Sequence, residues 1–289
     1  DFKIYNAAEI TNKTVELMIG LVPVKLKNGF EWGVGMNWAK TNNEVVKLFT
    51  DELGNETESV QIGTAPFSAT LQMRKGMAAS QIVGYDFVYD DKGNKVVDAD
   101  GFYMRSETVK PLGSVLPDYT GGFNTYVTFK GIRLAGLIDF QKGGKVFSLT
   151  NVWGKYSGIF AETAEGDIRE NGLVNEGVTE TGEQNTTVIA AVDHYFQDGG
   201  YVITAADVYD ASFVKLREIT LSYELPQSLF KKAIRGVSIG LYGRNLAILH
   251  KNVPNIDPEA GLSSGNVQGF EGGQLPTARI FGVNLNVRF

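Results

Sequence analysis

The sequence contains no cysteine and only two histidines among its 289 residues. Without thiols, the chain forms no disulfide, builds no cysteine zinc site and performs no thiol chemistry. The histidines are His194 and His250, and no Gly-x-Ser-x-Gly elbow, Walker loop or His-Glu-x-x-His motif occurs in the chain. Since no hydrolytic constellation stands out, we predict that the chain is not an enzyme.

Long apolar runs and an excess of positive charge are also missing. No stretch approaches the roughly 18 consecutive apolar residues of a transmembrane helix. The chain opens on Asp1-Phe-Lys-Ile-Tyr5, without the basic start or apolar run of a signal peptide, and we interpret this start as a cut or mature end. The net charge of -6 argues against nucleic acid as a partner. A transmembrane β-barrel stays possible, because its hydropathy signal is weak.

Alternation of apolar and polar residues with a period of two is the dominant pattern that is present. It is typical of half-buried strands, and helical periodicity is rare. We predict an all-β, antiparallel fold with about seven strong strands. The clearest alternation lies in residues 30–38, 123–129, 132–140, 237–241 and 281–289.

Two short connections fix the predicted pairing of strands. A two-residue turn at Lys130-Gly131 places Phe129 opposite Ile132 and keeps both apolar sets on one face. A three-residue turn over 27–29 places Leu26 beside Phe30. We prefer it to a two-residue Asn-Gly turn, which would put lysines on the apolar face.

The remaining connections are very long, at about 41–118, 142–211 and 248–274. Compact soluble domains rarely contain structureless loops longer than about 12–15 residues. Tight turns and long loops alternate strictly along the chain, as in outer-membrane barrels, where the long loops are extracellular. We therefore predict a transmembrane β-barrel.

The side chains on the two faces of the strands agree with lipid on one side and water on the other. Aromatic residues lie near strand ends, where amphipathic rings suit a membrane interface; they are Trp32, Trp38, Phe129, Phe140, Tyr223 and Phe289. Lys215 and Arg217 do not fit this division of faces. They occupy odd positions, as apolar Ile219 and Leu221 do, and would therefore lie on the apolar face. We expect these two cations to lie near the outer rim or behind a β-bulge that flips the register.

Several segments, taken together, resemble SusC/RagA-type TonB-linked outer-membrane proteins. Each motif alone is weak, but they occur in order over nearly the whole chain. They are Leu116-Pro-Asp-Tyr-Thr-Gly-Gly-Phe123, Asp210-Ala-Ser-Phe-Val-Lys-Leu-Arg-Glu-Ile-Thr-Leu-Ser-Tyr-Glu-Leu-Pro226, Gly243-Arg-Asn-Leu246, Asn255-Ile-Asp-Pro-Glu259 and the terminal Phe281-Gly-Val-Asn-Leu-Asn-Val-Arg-Phe289.

This resemblance implies that residues 1–289 form the C-terminal part of a 22-stranded barrel, with the N-terminal plug absent from this chain. It implies a place in the bacterial outer membrane, in contact with its lipid, with extracellular loops and a periplasmic C-terminus. The implied partners are a SusD-like surface lipoprotein that acts as a lid, the TonB–ExbB–ExbD energy-coupling system and an imported oligosaccharide or peptide.

The last strand has a second implied role as an assembly signal. Outer-membrane barrels commonly end in an aromatic residue after alternating apolar positions, and the BAM assembly machinery pairs with that free strand edge. Here the apolar positions are Phe281, Val283, Leu285, Val287 and Phe289.

The long loops contain two kinds of candidate binding residue. Loop aromatics could stack on sugar rings or peptide side chains, or they could order the loops or contact the lid; they are Tyr85, Tyr89, Tyr103, Trp153 and Tyr156. Asp90, Asp98 and Asp100 are candidates for a structural calcium ion, although their spacing misses the EF-hand pattern and a solvated acidic hairpin is the alternative. We predict no other metal and no cofactor.

Two other functions fit parts of the pattern. A soluble or surface β-sandwich that binds glycans, as an adhesin does, would also have alternating strands and long loops. An outer-membrane protease or lipase would need a clustered acid–base set at the barrel mouth, which the sequence does not reveal.

Overall fold

The computed structural model describes residues 8–50, 53–67, 69–230, 234–262 and 268–289, and most of its regular structure is β-strand. The strands are β1 (Ala8–Lys25), β2 (Glu31–Leu48), β3 (Ser59–Thr64), β4 (Thr70–Arg74), β5 (Gln81–Gly84), β6 (Val96–Val97), β7 (Lys110–Ser114), β8 (Pro117–Phe129), β9 (Ile132–Gly143), β10 (Lys145–Ser148), β11 (Leu173–Val174), β12 (Val178–Thr179), β13 (Val188–Ile189), β14 (Val208–Asp210), β15 (Phe213–Glu224), β16 (Gly236–Lys251), β17 (Phe270–Glu271) and β18 (Ile280–Arg288). The α-helices are α1 (Leu149–Tyr156), α2 (Ile168–Asn171) and α3 (Ala191–Gln197). The prediction of an all-β fold is confirmed.

Seven long strands form one antiparallel sheet in the order β1-β2-β8-β9-β15-β16-β18, which we call the large sheet. Every neighbouring pair in this order is antiparallel, so the predicted set of seven strands is confirmed. Within the described residues, β1 and β18 are the two edges, and the sheet is open.

Both predicted tight turns are present with the expected pairing. Phe129 faces Ile132 across Lys130 and Gly131, whose φ angles of 47° and 85° are those of a turn that matches strand twist. At the first hairpin, the Leu26 amide donates to the Phe30 carbonyl at 2.8 Å, and Gly29 has a φ of 86°. The three-residue turn is therefore the correct alternative.

The large sheet has an exposed apolar face and a polar face. Leucines on five of its strands leave about half or more of their surface exposed on the apolar face, namely Leu17, Leu134, Leu221, Leu241 and Leu285. Aromatic residues border this face at both ends: Tyr119 contacts Trp38 and Phe140 at one end, and Phe30 contacts Phe129 at the other. From Ile132 to Phe140 a tilted strand rises by on the order of 20 Å.

A β-bulge in β15 explains the charges that disturbed its alternation. The pairing of β15 with both neighbours shifts between Leu216 and Glu218, so that Arg217 is the extra residue. Lys215 and Arg217 consequently lie on the polar face, while Ile219 returns to the apolar face. Of the two predicted alternatives, the bulge is correct.

The three long connections pack together instead of forming separate loops. Buried side chains from all three make one hydrophobic core, which we call the loop core; its large members are Leu71, Ile82, Phe147, Leu149, Val152 and Phe270. Smaller sheets with the orders β3-β4-β5-β7 and β14-β10-β17 frame it. A prediction of long loops from the sequence therefore missed a folded unit.

The large-sheet strands also extend beyond the predicted loop boundaries, since β2 runs to Leu48, β9 to Gly143 and β16 to Lys251. Polar side chains continue the pairing of β1 with β2 there: Asn43 donates to Asn12 at 2.7 Å. Backbone pairing does not need an apolar face, so alternation underestimates strand length. None of the helices in the described ranges has the length and apolarity needed to cross a membrane.

Candidate functional site

Five aromatic side chains meet at the surface of the loop core, and we call them the aromatic cluster: Phe67, Trp153, Tyr156, Phe196 and Tyr201. Tyr201 lies at the centre, with its ring centroid 4.2 Å from Phe67 in a stacked geometry and 4.8 Å from Phe196. Trp153 and Tyr156 each keep 44% of their surface exposed. The cluster thus offers ring faces and edges to a ligand.

Local structure places each of these rings. Trp153 and Tyr156 are three residues apart on one side of α1, whose N-terminus is capped by Ser148, which accepts a hydrogen bond from the Asn151 amide at 3.1 Å. Phe196 lies in α3, and Tyr201 follows it. Phe67 has a φ of 63°, a left-handed conformation that is strained for a bulky residue and that often marks functional sites.

A buried carboxylate, Asp207, holds α1 and the backbone just before Tyr201 in place. Asp207, whose side chain is fully buried, lies 2.6 Å from the Lys155 ammonium group of α1 and accepts hydrogen bonds from the Tyr209 hydroxyl at 2.7 Å and the Gly200 amide at 2.8 Å. Burial and the Asp207 charge raise the pKa of Tyr209, so its hydroxyl stays protonated and donates.

An open cavity of about 310 Å³ lies beside the aromatic cluster and has Tyr156, Arg169 and Tyr195 among its lining residues. The Arg169 side chain donates to the Thr163 carbonyl at 2.9 Å and to the Gly158 carbonyl, so it braces the cavity wall. Rings beside a cavity of this size suit stacking on an apolar or ring-shaped group. The cluster contains no acid–base pair.

The five aromatic residues predicted from sequence do not form one site. Trp153 and Tyr156 belong to the aromatic cluster, whereas Tyr85, Tyr89 and Tyr103 lie elsewhere. The guanidinium carbon of Arg105 lies over the Tyr85 ring, 4.1 Å from the ring centroid.

Tyr89 and Tyr103 contact a second aromatic residue, Phe87. Their ring centroids lie 6.4 and 5.2 Å from its centroid, and the Lys95 ammonium group lies 3.5 Å from it. The Tyr103 hydroxyl donates to the Glu176 carbonyl at 3.0 Å, so this residue orders the loops.

Sequence reasoning missed Phe67, Phe196 and Tyr201 as partners of the predicted aromatics. Phe196 and Tyr201 follow a polar, acidic stretch, and the seven-residue α3 is too short for a clear helical period. Phe67 is more than eighty positions from the nearest of its ring partners in sequence. Only the fold of the loop core brings these rings together.

The candidate calcium ligands serve separate turns. Asp90 accepts hydrogen bonds from the Lys92 and Asn94 amides at 2.9 and 2.8 Å, and the Asn94 side chain lowers the pKa of Asp90. Asp98 accepts from the Asp100 amide at 3.0 Å. No group of three or more metal-ligating side chains occurs in the described part of the chain.

A second group of charges lies on the polar face of the large sheet, and we call it the charge clamp: Asp139, Lys215, Arg217, Asp257 and Glu259. The Lys215 ammonium group lies 2.5 Å from both Asp257 and Glu259, and Arg217 contacts Asp139 at 2.6 Å and Glu259 at 2.5 Å. Lys215 and Asp257 are each only 4% exposed. Two motifs that sequence analysis treated separately, 210–226 and 255–259, thus meet here.

No family model matches the chain. Over 99% of its length it is 27% identical to TonB-dependent receptor P3 and 25% identical to TonB-dependent receptor P26, both of Formosa agariphila. The chain spans about 30% of the length of these relatives, since it covers 29% of the first and 30% of the second.

Solved structures of the RagAB peptide transporter have the same fold over most of this chain. One covers 97% of this chain and 29% of that chain, with a TM-score of 0.65 and 19% identity, and the open-open state of the importer gives a TM-score of 0.66. Together with the curated relatives, these matches confirm the resemblance to SusC/RagA-type TonB-dependent transporters. The relatives are named receptors and transporters, which agrees with the prediction that the chain is not an enzyme.

We predict that Asp207→Asn will loosen the aromatic cluster. The change removes a buried charge and leaves Lys155, which is 15% exposed, without its anion, so the loop core should lose about 3 kcal/mol of stability. Hydrogen exchange measured by mass spectrometry should be faster in α1 and α3. Asp91→Asn, the same change at an exposed turn position outside both helices, is the control and should leave exchange unchanged; equal exchange in both variants would contradict the supporting role of Asp207.

Proposed function

We propose that the large sheet is a section of the lipid-facing wall of an outer-membrane β-barrel, and that the chain is part of a TonB-dependent importer. The observation that carries this proposal is the exposed apolar face, which continues across all seven strands. Soluble monomers rarely expose apolar patches larger than a few hundred Å². Aromatic residues at both borders of the face support lipid as its solvent, because such rings settle at membrane interfaces.

The open edges of the large sheet support its place in a larger barrel. A membrane-spanning sheet cannot leave backbone groups unpaired in hydrocarbon, so β1 and β18 need neighbouring strands. The chain covers 29% of its first relative, which leaves room for them. We propose that the other strands of a 22-stranded barrel, an N-terminal plug and a TonB-contacting segment belong to the same longer protein, with residues 1–289 as its C-terminal part.

The competing functions have less support. A β-sandwich adhesin would cover the apolar face with a second sheet, yet the leucines of that face are exposed in the described residues. An enzyme barrel would need an acid–base set at its mouth, and the aromatic cluster supplies none.

We propose an orientation and partners in keeping with the family resemblance. The loop core lies outside the cell and the tight turns lie in the periplasm. A SusD-like lipoprotein closes over the loop core, TonB–ExbB–ExbD supplies the energy, and the BAM machinery inserts the barrel.

The substrate is proposed to be a peptide or an oligosaccharide that contacts the aromatic cluster through Trp153 and Tyr156. Exposed rings stack on apolar side chains and on sugar rings alike. A structural neighbour is a peptide importer, which makes peptides the first class to test. Tyr85, Tyr89 and Tyr103 are the second set of candidate contacts, which we call the second surface.

Paired substitutions in β9 test which solvent lies on the apolar face. Ile138 lines the apolar face beside Phe123, whereas the adjacent Leu137 pairs with Glu218 on the polar face. In the full-length protein, Ile138→Arg should strongly lower the amount of folded barrel, because an arginine near the bilayer midplane costs about 2–4 kcal/mol. The heat-dependent shift in electrophoretic mobility measures the folded fraction in outer membranes.

Leu137→Arg is the matched control, since it makes the same kind of change at the same depth on the water-filled side. It should leave the folded fraction near the parent level. Equal tolerance of both substitutions, or a chain that is a soluble and cooperatively folded monomer without detergent, would overturn the membrane proposal.

An uptake assay tests transport and the substrate site together. Cells that produce the full-length protein should accumulate labelled peptides or oligosaccharides only when TonB is present. Combined Trp153→Ala and Tyr156→Ala should lower uptake about tenfold, because aromatic anchors dominate binding energy. Retained uptake in this variant, with loss in a Tyr85, Tyr89 and Tyr103 triple alanine variant, would move the site to the second surface. Uptake that persists without TonB would contradict the energy coupling.

The last strand is proposed to serve as the assembly signal. Phe281, Val283, Leu285 and Phe289 are exposed on the apolar side, and β18 pairs only with β16 among the described strands. Deletion of Phe289 should lower the outer-membrane level of the full-length protein while synthesis stays unchanged, as measured by quantitative blotting of membrane fractions. Asn286→Ser, on the polar face, is the control; a normal level after the deletion would exclude the signal role.

A further inference from the structure

The segment between β16 and β18, described at residues 252–262 and 268–279, is held on the polar face of the large sheet by the charge clamp and by further hydrogen bonds. Asp257 also accepts hydrogen bonds from the Thr277 hydroxyl at 2.7 Å and the Glu259 amide at 3.0 Å. The Lys251 ammonium group donates to the Ile256 carbonyl at 2.6 Å. Asp257 therefore ties the two ends of this segment together, and Lys251 of β16 and Lys215 of β15 hold the Asp257 end against the sheet.

The two strands are locally deformed where the segment attaches. Arg217 is the bulged residue of β15, and Asn245, opposite the bulge in β16, has a φ of 52°. Asn245 accepts a hydrogen bond from Arg217 at 3.2 Å and donates to the Ala278 carbonyl at 3.0 Å. The deformation thus turns polar groups of both strands toward the segment, which indicates that the attachment is built into the sheet.

The two carboxyl groups of the attachment have pKa values below their ordinary ones. Burial alone would raise the pKa of Asp257, but hydrogen bonds from Lys215, Thr277 and the Glu259 amide lower it to about 2. Burial also opposes ionisation of Glu259, and hydrogen bonds from Arg217 and Lys215 outweigh it and lower the pKa of Glu259. Because both pKa values lie below the ordinary ones, the carboxylates stabilise the attachment above the ordinary values of 3.8 for Asp257 and 4.5 for Glu259, and this contribution is lost as the pH falls below them.

The anchored segment also forms one side of a cavity. Glu259, Ala260 and Leu262 line it on that side, and Gln141 and Lys145 line it from β9 and β10, around a volume of about 660 Å³. This volume lies in the range of small-molecule and short-peptide sites. Since Glu259 belongs to both the charge clamp and the cavity, the clamp sets where this side of the cavity lies.

We propose that Lys215 and Arg217 are positioning residues that hold residues 257–262 as a fixed side of the substrate path. Residues 257–262 are then a rigid inner lining at the loop end of the barrel, and any lid motion belongs to other parts of the protein. The assignment to a substrate path rests on the proposed transport function. The rigidity of residues 257–262 does not, and it can be measured on the purified protein.

The distance between two spin labels, measured by double electron–electron resonance on the full-length protein, tests this rigidity. This chain has no cysteine, so within it spin labels attach only at Leu262→Cys and at Lys130→Cys in the exposed tight turn. Any cysteine in the rest of the full-length protein is replaced by serine beforehand. The parent should give a narrow distance distribution. Lys215→Gln leaves Asp257 and Glu259 with too little positive charge and should widen the distribution at least about twofold, because the freed segment opens locally.

Two further variants separate positioning from general damage. Arg244→Gln removes a cation on the same face of the sheet that pairs with Glu218 at 2.6 Å and makes no ion pair with the described residues of the segment, and it should leave the distribution narrow. The charge swap Lys215→Asp with Asp257→Lys restores an opposite-charge pair and should narrow the distribution again. If Lys215→Gln does not fold, the milder Glu259→Gln should still widen it.

An unchanged width in Lys215→Gln, or in Glu259→Gln where the first variant cannot be purified, would overturn the inference. Widening in Arg244→Gln as well would overturn it too, since it would show general loosening of the sheet. The distances need neither substrate nor TonB, so a negative uptake result leaves this test intact. Conversely, mobile labels together with normal TonB-dependent uptake would remove the positioning role and keep the transport function.

Discussion

Register is the constraint on which the rest of this structure depends. In a sheet with one apolar and one polar face, a slip of one residue exchanges the two faces, so each turn and each irregularity must preserve the assignment. The turn at Lys130 and Gly131 does so with two residues and the turn ending at Gly29 with three. The bulge at Arg217 does so within a strand, by absorbing one residue so that Ile219 returns to the apolar face.

The same constraint divides what the sequence predicts from what it does not. Alternation is a local pattern, and it was enough to find the seven strands, both turns and, as one of two alternatives, the bulge. The charge clamp joins Lys215 to Asp257, and the aromatic cluster joins Phe67 to Tyr201. Such contacts depend on how distant segments fold over one another, and no period within a strand records them.

Long connections are the clearest case of this limit. Composition and length marked residues 41–118 and 142–211 as loops, and the alternation of short and long connections predicted that they are extracellular. Their shared core, with Leu71 from the first and Phe147 from the second, has no signature of its own. The strands inside these loops have two to six residues, which gives a period of two too few repeats to stand out from its surroundings. The aromatic candidates were for the same reason a set of residue types, of which only Trp153 and Tyr156 share a site.

Stability alone does not account for the charge clamp. Removing an ion pair from water is costly, and well-packed apolar residues of similar size often stabilise a protein as much or more. Lys215 and Asp257 are nearly fully buried, so their attraction is largely offset by lost hydration. The charged side chains instead fix the position of the segment, because each carboxylate oxygen accepts a hydrogen bond from a particular donor. An apolar contact sets no such direction. A segment that only had to cover the sheet would not need such contacts, whereas a segment that must keep one position beside a substrate path would.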